Sequence, residues 1–175
     1  PDGTPCFVME YVSGEPVTAW ARRQRLSVRE RLELFLEVCA GVQHAHAAAV
    51  IHRDLKPSNI LVREDGVVKL LDFGLAVVRG HVEPEDRVVG TLGYLAPELI
   101  TGRPASAASD LYAVGIMAYE LFTGEHPFKN GEPHRIIDSI LHQPADLTPL
   151  DDTPAVRDVV ARLIAKDPAD RYRSA

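Results

Sequence analysis

Cysteine is scarce in this 175-residue chain: there are two, Cys6 and Cys39, far apart and both in apolar surroundings. Their spacing fits no metal-binding pattern and a disulfide is the poorer reading, so both are expected to be reduced, buried thiols in a reducing setting. Long apolar runs are missing too. The most apolar window, Leu111 to Phe122, carries Glu120 and falls short of the roughly 18 residues a membrane-crossing helix needs. The opening Pro1-Asp2-Gly3-Thr4-Pro5 has neither the charged start nor the apolar stretch of a secretory leader. It also lacks an initiator Met, from which a natural N-terminus further upstream is expected. Positive charge is in deficit: 19 Lys and Arg stand against 25 Asp and Glu, a net charge of −6. A general nucleic-acid binder would carry the opposite balance. Repeats and low-complexity linkers are absent.

What is present suffices for one core. With 46% hydrophobic residues, a chain of this size buries roughly 70% of its unfolded surface, so a single domain is expected. Cys6 to Tyr11 is rich in β-formers and is predicted to be a strand. Ser27, followed three residues on by Glu30, is a capping box that should start a helix. Val28, Leu32, Phe35, Cys39, Val42 and His46 recur along that helix at the spacing of one buried stripe. Residues 59–62 and 67–71 flank Asp65-Gly66, a dipeptide that favours a hairpin turn. Leu75 to Ala96 has no period and is predicted to be a long, functional loop. Ser109 is expected to cap a nearly all-apolar helix over 110–123, stopped by Gly124 and central to the fold. Ile136, Ile137, Ile140 and Leu141 mark a further helix, and Thr153-Pro154 should begin the last.

The informative stretch is His52-Arg53-Asp54-Leu55-Lys56-Pro57-Ser58-Asn59, followed by Asp72-Phe73-Gly74. Asn59 starts one hairpin strand and Asp72 follows the other, so their side chains could converge. An Asp and an Asn oxygen with room for water and phosphate oxygens suit a hard cation such as Mg²⁺. Asp54, on the loop before the hairpin, could orient an attacking hydroxyl. Lys56 beside it could neutralise charge on a transferring phosphoryl group. The bland alternative, a loop of solvated charges, would have to account for both motifs in this order and separation.

These motifs resemble the catalytic loop and metal-binding tripeptide of the protein kinases. The resemblance implies an α+β fold: a mainly helical C-lobe with a small hairpin over 13–175, lacking its final helix, and a remnant N-lobe strand and hinge over 1–12. It implies that Asp54 orients the substrate hydroxyl, that Asn59 and Asp72 hold Mg²⁺, or Mn²⁺ in its place, on the phosphates of ATP, and that Lys56 contacts those phosphates. The Asp-Leu-Lys-Pro context is similar to that of serine/threonine kinases. Met9-Glu10-Tyr11-Val12 resembles the hinge, with Met9 as gatekeeper, main-chain groups of Glu10 and Val12 pairing with adenine, and Leu61 packing beneath the ring. Gly90-Thr91-Leu92-Gly93-Tyr94-Leu95-Ala96-Pro97-Glu98 resembles the end of an activation segment. By that match Thr91 bonds near Asp54 and Lys56, the following loop receives the substrate, Glu98 pairs with buried Arg171, and Asp110 anchors the catalytic loop. His52 is then structural, packing on Phe73, with Gly74 completing the tripeptide. The other histidines show no ligand spacing; His44 and His46, two apart, diverge.

Two departures from the family bear on activity. The glycine-rich phosphate loop, the strand Lys and its partner Glu are not in the sequence, so the chain is expected to be part of a longer kinase, with little or no activity alone. Between Asp72 and Gly90 there is no Ser, Thr or Tyr, so the usual phosphate that pairs with Arg53 has no acceptor. Glu83, Glu85 or Asp86 is a candidate substitute for that charge, against the plainer reading of a solvated acidic turn. Protein substrates with Ser or Thr acceptors, a cytoplasmic location, and neither nucleic acid nor a membrane segment are the remaining expectations. Two other readings stand beside this one. A pseudokinase scaffold would usually have lost one of Asp54, Asn59 or Asp72. A small-molecule kinase would share the Asp and Asn but not the Ala96-Pro97-Glu98 segment.

Overall fold

The computed structural model describes residues 9–73, 92–128 and 132–175. Chain direction is set at the start by a two-residue strand β1 (Glu15–Pro16), which leads directly into α1 (Val17–Arg23). The long helix α2 (Val28–Ala47) follows, begun as expected by Ser27: its hydroxyl accepts from the Glu30 N–H while the Glu30 carboxylate accepts from the Ser27 N–H at 2.7 Å. A loop and a single 3₁₀ turn (Pro57–Asn59) lead into β2 (Ile60–Val62) and β3 (Val68–Leu70). The intervening turn places Gly66 at φ 84°, as its Asp-Gly sequence requires.

The three strands form one antiparallel sheet in the order β1-β2-β3, with Glu15 opposite Val62 and Leu61 opposite Lys69. Strand β1 was not predicted; it tolerates Pro16 because it lies at the sheet edge, where a proline costs no ladder bond. The strand predicted to run through Tyr11 is not seen in its described part. Residues 9–11 are not in a strand, and Tyr11 is 89% exposed. Cys6 and the rest of that segment lie outside the described residues.

After the short helix α3 (Pro97–Ile100) comes α4 (Ala107–Thr123), then α5 (Pro133–His142) and α6 (Pro154–Leu163). Helix α4 is the hub: twelve of its residues are buried, and α1, α2 and α6 all pack on it. Its start differs from the expectation. Ser106 is the N-cap, and Ser109 sits one turn in, its Oγ accepting from the Ser106 N–H at 3.2 Å. The end is as expected, with Gly124 left-handed at φ 79°. Along α2 the buried set is Leu34, Phe35, Val38, Val42 and Ala45, while Val28 and Leu32 are exposed. The predicted stripe therefore holds at Phe35 and Val42, with Cys39 and His46 partly buried, and fails at Val28 and Leu32, because α4 and β3 select the face. The fold is mainly helical with a small antiparallel sheet, an α+β arrangement. Among the described residues no helix is long and apolar enough to cross a membrane.

Candidate functional site

Residues 52–59 run between α2 and the hairpin, and their backbone is held from below. The carboxylate of Asp110, in the first turn of α4, accepts the His52 N–H on Oδ2 at 2.8 Å and the Arg53 N–H on Oδ1 at 2.9 Å. Two consecutive amides can face one carboxylate here because Arg53 takes a left-handed conformation, φ 73°. A non-glycine residue stays in that region only where its surroundings impose it. The expected anchoring by Asp110 is thus present as two hydrogen bonds. The His52 ring lies 4.7 Å from that of Phe73, tilted by 47°, so the expected packing between the two motifs is also present. Burial lowers the His52 pKa, although the Asp110 and Asp54 charges pull it the other way.

The loop's turn brings three polar side chains together at its end. Asn59, buried, donates from Nδ2 to the main-chain carbonyl of Asp54 at 2.7 Å and to its carboxylate Oδ2 at 2.9 Å. The same Asp54 Oδ2 lies 3.0 Å from Lys56 Nζ. Asp72 reaches this point along the hairpin. The Leu71 N–H donates to the Asn59 carbonyl at 2.8 Å, which sets the next residue beside Asn59. Asp72 is itself left-handed, φ 58°, so the chain turns sharply at this residue. Asp54, Lys56, Asn59 and Asp72 therefore share one end of the hairpin.

Of the predicted hinge residues, Glu10 reaches the sheet. Glu10 Oε2 is 3.7 Å from Lys69 Nζ, and Lys69 pairs across the ladder with Leu61. This brings residue 10 to the strand pair that carries Leu61, which is partly buried, whereas Met9 is 58% exposed and Val12 partly so. The chain can approach β2 closely at Gly14, where a side chain would begin 2.8 Å from the Val62 carbonyl oxygen.

Support for the loop comes from further along the chain. Arg171 is fully buried, and each of its five N–H groups has an acceptor. Glu98 takes two at 2.7 and 2.8 Å, and the carbonyls of Ala165, Ala108 and Lys166 take the other three. The expected Glu98–Arg171 pair is present. Burial alone would raise the Glu98 pKa, but the hydrogen bonds and charge of Arg171 outweigh it and hold it below the usual value. Tyr94, Leu95 and Leu99 line a small cleft beside Arg53 and Asp54. The Tyr94 hydroxyl donates to Glu120, a contact the sequence did not suggest. Burial, then the Glu120 charge, pushes that phenol up, keeping it protonated. Gly74, Thr91, Glu83, Glu85 and Asp86 lie outside the described residues.

Sequence reasoning also missed His46. Set aside as one of two diverging histidines, it places Nε2 2.8 Å from Asp110 Oδ2. Its signal was faint: a polar residue at the end of an otherwise apolar helical stripe. Cys39 is a free, half-buried thiol that burial pushes up to about 11, unsuited to nucleophilic work.

Comparison with known proteins adds the following. The family model described as "Protein kinase domain" matches residues 2–175. Serine/threonine-protein kinase PknA of Mycobacterium tuberculosis is 40% identical over 98% of this chain and 40% of its own length. Probable serine/threonine-protein kinase PknB of Corynebacterium glutamicum is 38% identical over 99% of this chain and 29% of its own. Serine/threonine-protein kinase Pkn1 of Myxococcus xanthus is 39% identical over 97% of this chain and 26% of its own. The chain thus spans well under half the length of these relatives.

Proposed function

Because the chain belongs to the protein kinase family, we propose that it is the substrate- and metal-holding part of an enzyme that moves a phosphoryl group from ATP to Ser or Thr hydroxyls of proteins. The observation that carries this reading is the hydrogen bonding of Asn59 to Asp54, with Asp72 set beside them by the Leu71–Asn59 bond. Members of the family use ATP and a divalent metal. The residues here fit that metal. Asn59 directs its Nδ2 at Asp54, so its carbonyl oxygen is the atom left to coordinate, and Asp72 supplies carboxylate oxygens. Among the described residues no three His, Cys, Asp or Glu side chains converge as an all-protein cage. Two hard oxygen donors suit Mg²⁺, which keeps waters and takes phosphate oxygens; Mn²⁺ accepts the same set.

When bound, the metal draws charge off the phosphates and fixes their orientation. The chain's own residues do the rest. Asp54 orients the acceptor hydroxyl and takes its hydrogen bond, its Oδ2 held in place by Asn59 and Lys56. Lys56 sets a positive charge beside the point where negative charge moves during transfer. Main-chain groups of Glu10 and Val12, with Met9 and Leu61, form the adenine side. A serine/threonine preference is supported by the names of the relatives and by Lys56. Arg53, whose side chain is exposed, is available to an acidic residue of the segment 83–86, which would take the place of an activating phosphate. Catalysis further requires a preceding lobe with the phosphate loop and strand lysine. The setting is cytoplasmic.

The test is phosphate transfer from labelled ATP to a generic protein by the full-length protein, followed by phosphoamino-acid analysis. Label on serine or threonine is expected. Asp54→Asn should lower kcat by about 10²–10⁴-fold while binding of Mg-ATP persists. Nucleotide binding without any transfer would point instead to a scaffold, and label on a small alcohol alone to a different kinase class.

A further inference from the structure

A side-chain contact ties the end of α2 to the residue that anchors the catalytic loop. His46, on the last turn of α2, and Asp110, on the first turn of α4, are 9% and 2% exposed at their side chains. Asp110 Oδ2 has two partners, the His52 N–H and His46 Nε2, both at 2.8 Å, while Oδ1 has the Arg53 N–H at 2.9 Å. A carboxylate accepts but does not donate, so His46 must present Nε2–H to it. The plane of a carboxylate is only loosely set by its own torsion. Two amides from one left-handed turn leave it free to follow that turn. A third donor, fixed to a different helix, removes the freedom and gives the loop an external reference.

The other face of the imidazole explains why a histidine is there at all. Nδ1 is buried with no hydrogen-bond partner among the described residues. A histidine kept for packing alone would be served better by an apolar residue, which leaves nothing unsatisfied. The one polar contact that offsets this cost is the bond to Asp110.

We propose that His46 is a positioning residue for phosphoryl transfer: by holding the Asp110 carboxylate in plane, it fixes the His52–Arg53 peptides and so the placement of Asp54. This rests on Asp54 being the residue that orients the acceptor hydroxyl. His46 touches neither nucleotide nor acceptor, and its effect falls on kcat rather than on substrate affinity.

The test compares His46→Phe, which keeps a ring without a donor, with His46→Gln, whose amide nitrogen can take the place of Nε2, in the full-length protein. His46→Phe should lower kcat by about 10–100-fold with KM for ATP and for protein substrate within about twofold, and His46→Gln should restore most of it. Amide hydrogen exchange at residues 52 and 53 should quicken in His46→Phe and return in His46→Gln. That readout needs no catalysis, so it separates failure of this link from failure of the kinase reading. Unchanged exchange at those amides, or an unchanged kcat in His46→Phe, overturns the proposal. So does a loss that Gln does not repair and that accompanies faster exchange throughout the chain. If His46→Phe does not fold, His46→Met, flexible and without a nitrogen, takes its place in the same comparison.

Discussion

Arg171 shows how far one side chain can be specified by its surroundings. A guanidinium offers five donors in a fixed fork, and here all five have acceptors, two of them the oxygens of buried Glu98. The ring of Tyr112 lies 5.0 Å from the guanidinium carbon. A lysine brings three donors on a mobile stem and cannot form the fork. Arg171→Lys therefore leaves Glu98 half-served, and Arg171→Met leaves its charge buried and unpaired. Loss of about 3–5 kcal/mol is expected for the Met variant, with the Lys variant between it and the parent, read from urea midpoints. Equal stability of all three would mean that the pair contributes nothing beyond packing. The pair was legible in the sequence because Ala-Pro-Glu and Asp-Pro-x-x-Arg are local patterns. His46 was not: its partner is 64 positions away, and nothing near it in the chain signals the contact.

Elements were for the most part legible where a local device sets them, the Ser106 cap of α4 being the exception, and illegible where a neighbour does. The capping box at Ser27 and the Gly124 stop act within one turn, and both stand where expected. The buried face of α2 is chosen by α4 and β3, two distant elements, and periodicity alone misplaced it at Val28 and Leu32. The packing of α6 on α4 is a like case. At Gly115, a Cβ would lie 2.6 Å from the Leu163 Cβ and 2.7 Å from Ile164 Cγ2. Gly115→Ala sets two effects against each other. Helix propensity favours alanine by about 1 kcal/mol. Overpacking a tight contact costs about 1–3 kcal/mol, and both neighbours are themselves buried. Packing should win, so a net loss of stability is expected in denaturant unfolding; a gain would mean that α6 slides without cost.

At the scale of the molecule, charge and burial make opposite forecasts for acid. The chain carries −6 at neutral pH with an isoelectric point near 5.6. Acidification toward that point relieves self-repulsion, which taken alone would stabilise the fold. His52 works the other way. Its pKa is lowered in the fold by burial, against an ordinary value of 6.5. A group with a depressed folded pKa contributes stability above its unfolded value and loses it as pH falls below, because the unfolded chain then binds more protons. Surface charges are screened over about 8 Å at physiological salt, whereas the imidazole lies 1% exposed between Phe73 and the loop backbone. The local term should therefore prevail. The thermal midpoint is expected to fall as pH drops below 6.5, and this fall should persist at high salt. His52→Phe, which keeps an aromatic contact with Phe73 and cannot be protonated, should flatten it. A midpoint that instead rises toward the isoelectric point, and flattens with salt, would place the balance with net charge. The expected result has a functional corollary, since the residue that titrates is bonded through its backbone to Asp110: acid should loosen the site and the core together, not the site alone.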